Sequence, residues 1–267
     1  MKTYSELGMH KIPFTRELTV SDHFNLPHLE SALTGLRSAI NGRMSAALIA
    51  PAGTGKTALL RKLRDALPQA RYKVHYIKVT GLAKRDFCRE VSAAIGASPA
   101  GTYPMLVRRL QERFGHNLNV DGLRPVLLID EAHDLKPNVL AILRLLTNFN
   151  MDSELVVSLI LAGQPPLGML LQRDDLVAVS GRLSHIAKLR LMSRDESLSY
   201  IRHRVALAGS VNFPFDASAT EGIFEVARGN LRATDRLART ALDCALEAGL
   251  TVVSSNEVVA ARERLTV

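Results

Sequence analysis

The chain has 267 residues, enough for one large domain or a main domain with a smaller companion. With 47% hydrophobic and 22% charged residues it can bury a substantial core, which excludes disorder in bulk, and no apolar stretch is long enough to span a bilayer. A net charge of +8 and a pI near 9.8 favour polyanionic partners, nucleic acid first, while the absence of tryptophan argues against a binder built mainly on aromatic stacking platforms.

Residues 1–27 read as irregular, broken by Pro13 and Pro27, and nothing apolar comes after Met1-Lys2-Thr3-Tyr4-Ser5-Glu6 that would serve for export. Leu29–Ile40 reads as a helix and Met44–Ile49 as a strand. Between that strand and the helix Thr57–Leu67 lies Ala50-Pro51-Ala52-Gly53-Thr54-Gly55-Lys56-Thr57. Strand, glycine loop and helix N-terminus in that order form a phosphate cradle, because the N–H groups of the loop and first turn converge on phosphate oxygens. Ala52, Gly53, Thr54 and Gly55 supply the loop. Lys56 is expected to reach the β- and γ-phosphates of ATP, and the Thr57 hydroxyl to ligate Mg²⁺. Ala50 stands where the usual pattern opens with glycine, a departure of one methyl group.

A strand Tyr72–Val79 and helices Lys84–Ile95 and Tyr103–Phe114 come next. Val126–Asp130 then reads as a strand whose unbroken apolar run suits a central parallel strand buried on both faces. It ends in Asp130 and Glu131, at the strand end where open α/β sheets bind ligands. Asp130 is expected to hold the hydration shell of Mg²⁺, and Glu131 to polarise the water that attacks the γ-phosphate. Helix Asn138–Phe149, strand Leu155–Ala162, a short helix near Pro166–Leu171 and a strand around Ile186–Leu191 complete an α/β pattern. Cys88 and Cys244 are isolated, fall in predicted helices and have no metal-ligand spacing; buried thiols and a cytoplasmic location are expected.

From Ser193 onward everything reads as helix: 195–208, 216–228, 231–247 and 255–265, with glycines 209, 229 and 249 at the joints. Ser193 as cap with Asp195 and Glu196 in the first turn marks the first helix start. The expected organisation is an irregular segment 1–27, an α/β nucleotide-binding domain 28–192 and a helical lid 193–267.

This architecture resembles the AAA+ ATPases: a P-loop parallel sheet with helices on both faces, followed by a small all-helical lid. Leu159-Ile160-Leu161-Ala162-Gly163-Gln164 matches the family's first sensor, so the resemblance gives Gln164 a part in orienting the attacking water. Ser180-Gly181-Arg182-Leu183 resembles the segment whose arginine reaches the nucleotide of a neighbouring subunit, with Arg173 as a rival to Arg182. Gly229-Asn230-Leu231-Arg232 resembles the second-sensor motif, in which Arg232 points back at its own subunit's phosphates.

Within AAA+ proteins the chain looks most like the ATPases that accompany DDE transposases (the MuB, TniB and IstB types), together with the ExeA-type secretion ATPases. The carrying residues are Phe14-Thr15-Arg16-Glu17, the run Leu128–Leu135 and the run Leu161–Leu167. ExeA-type proteins carry a membrane span and a periplasmic extension after the ATPase core; this sequence reaches Val267 with neither, which with the basic balance tilts the expectation toward transposition. The resemblance implies ATP-dependent self-assembly as a ring or filament on duplex DNA, recruitment of a DDE transposase and no membrane partner. Lys78, Lys84 and Arg85 fall where related assemblies face their pore; a solvated helix face is an equal reading for them.

Overall fold

The computed structural model of the protein describes residues 3–147, 149 and 154–265. The chain forms two compact units. The larger comprises Pro27–Pro51 and Lys56–Leu189; the smaller joins the chain up to Leu26, the loop tip Ala52–Gly55 and the chain from Arg190 onward.

A five-stranded, all-parallel sheet organises the larger unit, as the α/β reading expects. Its strands are β1 (Ser45–Ile49), β2 (Tyr72–Lys78), β3 (Arg124–Asp130), β4 (Ser158–Gly163) and β5 (Leu183–Lys188), in the order β2-β3-β4-β1-β5. Successive side chains of a strand point to opposite faces. Val126 and Leu128 of β3 therefore join one core, with Leu36, Ile40, Leu60 and Leu63 from α1 (Pro27–Asn41) and α2 (Lys56–Asp65). Leu127 and Ile129 join the other, with Phe87, Leu110 and Phe114 from α3 (Lys84–Ala94) and α4 (Tyr103–Asn119). Burial on both faces is why the strand reads as an unbroken apolar run.

Several boundaries differ from the sequence reading, for local reasons. Helix α4 runs on past Phe114 to Asn119, because Gly115 faces open space while Asn117 is buried and Leu118 packs on the core. The helix expected over Asn138–Phe149 forms as two short pieces, α5 (Pro137–Leu140) and α6 (Ile142–Thr147), and Asn148 lies outside the described residues. After α7 (Pro166–Leu171) and α8 (Val177–Ser180), β5 starts three residues earlier than expected. It is an edge strand in which only Ala187 is buried, so its pattern is weak, and the apolar signal of Leu189 and Met192 lies beyond its last residue, Lys188.

The smaller unit holds α9 (Arg194–Leu207), α10 (Ala217–Ala227), α11 (Leu231–Glu247) and α12 (Ser255–Leu265). Helix α9 opens with the capping box read from the sequence: Glu196 N–H donates to Ser193 Oγ at 3.2 Å, and Ser193 N–H to Glu196 Oε2 at 2.8 Å. Between α10 and α11, Gly229 has φ +73°, and a Cβ there would lie 2.1 Å from the Met192 carbonyl oxygen, so no other residue fits. The N-terminal segment contributes two single 3₁₀ turns, Tyr4–Leu7 and Val20–Asp22, and buries Leu7, Met9 and Phe14 in the helical core. Cys88 and Cys244 are both free and buried. Among the described residues no helix is long and apolar enough to cross a membrane.

A buried polar knot fixes that segment. Arg204, 3% exposed, donates to Asp235 at 3.2 Å, to the Tyr200 hydroxyl at 3.1 Å and to the Thr15 carbonyl at 2.5 Å, while Tyr200 donates to Asp235 at 2.8 Å. Burial outweighs the Arg204 charge and holds the Asp235 carboxyl up at about 6, against an ordinary 3.8. The native state therefore binds this proton more tightly than the unfolded chain does. The corresponding stabilisation is fully present below the unfolded value and is lost as pH rises through about 6. Asp235→Asn should accordingly gain on the wild type between pH 4 and 7, by at most on the order of 2–3 kcal/mol. Melting curves of both proteins across that range test it; a constant difference in Tm would mean that Asp235 titrates normally.

Candidate nucleotide site

All five strands end on the same edge of the sheet, and the strand order sets β4 between β1 and β3. The end of β1, the start of α2, the acidic end of β3 and Gln164 thus come side by side at the carboxyl edge, where open α/β sheets bind ligands. In the loop, Gly53 and Gly55 take φ of +75° and +92°. Ala50 is fully buried, lies outside the positive-φ region and donates its N–H to Gly163 O at 3.0 Å, so the methyl group is admitted there. Thr54 is buried.

Lys56 and Thr57 open α2. The Lys56 ammonium, 7% exposed, lies 3.3 Å from Glu131 Oε2. Thr57 Oγ1 donates to Asp130 Oδ2 at 2.8 Å. Asp130 is fully buried; its other oxygen accepts the Glu131 N–H at 2.9 Å. Glu131 itself sits at φ +57°, a left-handed conformation that is costly for a residue with a side chain and is characteristic of functional sites. A hydroxyl paired with a buried carboxylate is an all-oxygen donor set suited to Mg²⁺, which takes one or two protein ligands and completes its shell with water and phosphate.

Two residues at this site had no role in the sequence reading, and neither had Asn230 of the smaller unit. Tyr76 donates its hydroxyl to Asp130 Oδ2 at 3.1 Å, and burial together with the Asp130 charge pushes its own pKa up to about 12. Nothing in a β-strand pattern marks a tyrosine as the neighbour of an acid on a later strand; the β2–β3 register does so. His133 Nδ1 accepts the Gln164 N–H at 3.3 Å and lies 3.5 Å from Glu131 Oε2. A nitrogen that accepts from a backbone amide carries no proton of its own, so the approach to Glu131 is not an ion pair. Within the smaller unit, the Asn230 side-chain amide donates to the Ala52 carbonyl of the loop tip at 2.7 Å.

The remaining expected site residues are placed as follows by their own elements. The Gln164 side chain is half-buried at the end of β4. Arg182 donates to Ala178 O at 2.6 Å, whereas Arg173 is exposed and held in a two-pronged pair with Asp175, at 2.9 and 3.1 Å. Arg232 is exposed at the second residue of α11, and its guanidinium has no ion-pair partner among the described residues. Lys78, Lys84 and Arg85 are all exposed, at the end of β2 and the start of α3.

Residues 39–171 match a family model described as an AAA domain. The chain is an AAA-type P-loop ATPase. Such ATPases use ATP with Mg²⁺. This ATPase is similar to general secretion pathway protein A of Aeromonas hydrophila, at 31% identity over 201 residues, which is 74% of this chain and 36% of that protein. The chain thus spans little more than a third of that relative's length. Among solved structures it resembles Cdc6p from Pyrobaculum aerophilum, with a TM-score of 0.74 and 18% identity over 98% of this chain and 71% of that one. It also resembles the Aeropyrum pernix ORC1 protein in complex with DNA, with a TM-score of 0.68 and 20% identity over 91% of this chain and 67% of that one. At such identities the likeness is one of fold: the AAA+ sheet with a C-terminal helical region.

Proposed function

We propose that this ATPase is a DNA-binding regulator of DNA transposition, which assembles on duplex DNA in the ATP state and recruits a DDE transposase to target sites. The observation that carries the nucleotide chemistry is the convergence of Lys56, Thr57, Asp130 and Glu131 within hydrogen-bonding reach of one another. In this reading Lys56 leaves Glu131 to neutralise the β- and γ-phosphates, and the loop amides hold their oxygens. Thr57 and, through water, Asp130 would hold Mg²⁺, which would supply charge neutralisation at the phosphates. Glu131, freed from Lys56, accepts the proton of the attacking water, and Gln164 orients that water. Arg182 acts on the nucleotide of a neighbouring subunit, and Arg232 on that of its own. Domain limits of 28–192 for the nucleotide domain and 193–267 for the lid belong to the same proposal.

DNA as the partner is supported by the charge of +8, by the exposed Lys78, Lys84 and Arg85, and by a fold shared with an ORC1 protein solved in complex with DNA. With ATP, the protein should bind duplex DNA with little sequence preference, and log K should fall with log salt at a slope of roughly −0.9 per phosphate neutralised. Charge reversal at Lys84 and Arg85 should flatten that slope by about two such increments while leaving ATP binding unchanged. Fluorescence anisotropy across a salt series measures both quantities.

A second reading is favoured by a specific observation, the 31% identity to general secretion pathway protein A: an ATPase subunit of a secretion system that works through a membrane partner. No DNA binding at low salt, with ATP bound and assembly verified, would remove the first reading and leave this one.

A further inference from the structure

Within the smaller unit, the loop tip Ala52–Gly55 and the start of α11 are joined by contacts that helix capping does not require. Asn230 is the N-cap of α11, and its Oδ1 accepts the Ala233 N–H at 3.1 Å. Serine, threonine or aspartate would serve equally well for that bond. The other half of the amide is also engaged, since Asn230 Nδ2 donates to the Ala52 carbonyl. Two residues on, the Arg232 N–H donates to the Gly53 carbonyl at 3.2 Å. The amide lies so close over the loop that a Cβ on Gly53 would fall 2.3 Å from Asn230 Oδ1. Asparagine offers the helix an acceptor and the loop a donor from two separate atoms of one short side chain, whereas a hydroxyl has a single oxygen for both.

Peptide geometry turns these contacts into a constraint on the loop amides. Every described peptide bond is trans, and in a trans peptide the N–H points opposite to the C=O. Holding the Ala52 and Gly53 carbonyls toward α11 turns the N–H groups of Gly53 and Thr54 away from it. Those are the donors that a phosphate loop must present to its ligand.

We propose that Asn230 is a positioning residue for nucleotide binding: through the Ala52 carbonyl it pre-orients the loop amides that receive the phosphates, in addition to capping α11. This rests on the P-loop reading of residues 52–57. Because the amides are present whichever nucleotide is bound, ATP and ADP should feel the loss alike.

The test uses Asn230→Ser and Asn230→Thr, which keep a capping oxygen and remove the Nδ2 donor, with Lys56→Ala as the control for the loop itself. Affinities for fluorescent ATP and ADP analogues, steady-state kinetics and melting temperature are measured for each. Both Asn230 variants should melt close to the wild type and bind ATP and ADP about tenfold more weakly, the loss of one well-placed hydrogen bond, with kcat within about twofold. Wild-type affinity in these variants, alongside lost affinity in Lys56→Ala, would overturn the proposal. So would a lowered kcat at unchanged affinity, which would leave Asn230 as a cap alone. Undiminished binding by Lys56→Ala would instead strike the P-loop reading on which the proposal stands.

Discussion

Glu131→Gln should bind ATP at least as tightly as the wild type and hydrolyse it on the order of 10²–10⁴ times more slowly. The substitution keeps the shape of the side chain and removes its capacity to accept a proton from water. It also removes the charge that holds the Lys56 ammonium at 3.3 Å, so Lys56 becomes freer to meet the phosphates. Retained or increased affinity is therefore part of the expectation, and it separates this variant from Lys56→Ala, which should lose binding itself. Single-turnover hydrolysis and equilibrium binding on the same preparation make the comparison. A wild-type rate in Glu131→Gln would show that another group receives the proton, and His133, 3.5 Å from the same carboxylate, would be the next residue to test.

Arg182→Ala should bind ATP normally and lose on the order of 10³–10⁵ in hydrolysis rate, the range for an arginine supplied to a transferring phosphoryl group. Arg173→Ala should have a much smaller effect, since the Arg173 guanidinium is already committed to both oxygens of Asp175. Arg182 donates to the Ala178 carbonyl. Mixing Arg182→Ala with Glu131→Gln should restore activity, because a subunit with intact Glu131 then meets a neighbour with intact Arg182. In a random one-to-one mixture roughly a quarter of the interfaces of a cyclic assembly have that pairing. A mixture no more active than its components would place Arg182 outside the neighbour's site.

Much of the site is legible in the chain because its parts are locally encoded. The loop must contain glycine wherever φ is positive, and Gly53 and Gly55 stand there while Ala50 does not need to be one. Asp130 and Glu131 end a strand whose unbroken apolar run reports burial on both faces, and the capping box at Ser193 is a four-residue pattern. Each signal spans a few residues and reflects local sterics, hydrogen bonding or hydration, so it survives in one dimension. Edge strand β5 shows the limit: with a single buried side chain it carried little apolar signal, and the sequence reading placed it three residues late.

What the chain by itself determined was therefore the inventory: a phosphate loop, an acidic strand end, an α/β region and helices behind it. The tertiary structure decided which of these groups meet. An apolar run says that a strand is buried without naming its neighbours, and the order β2-β3-β4-β1-β5 set β4, with Gln164, between the loop strand and the acidic strand. The β2–β3 register brought Tyr76 to Asp130, the turn after β3 brought His133 under the Gln164 amide, and the fold of the smaller unit laid Asn230 over Gly53. These contacts join residues far apart in the chain and depend on hydrogen bonds of fixed length and direction. Polar residues of that kind have no periodicity to betray them, so only the folded backbone, by fixing distance and angle together, selects the partner.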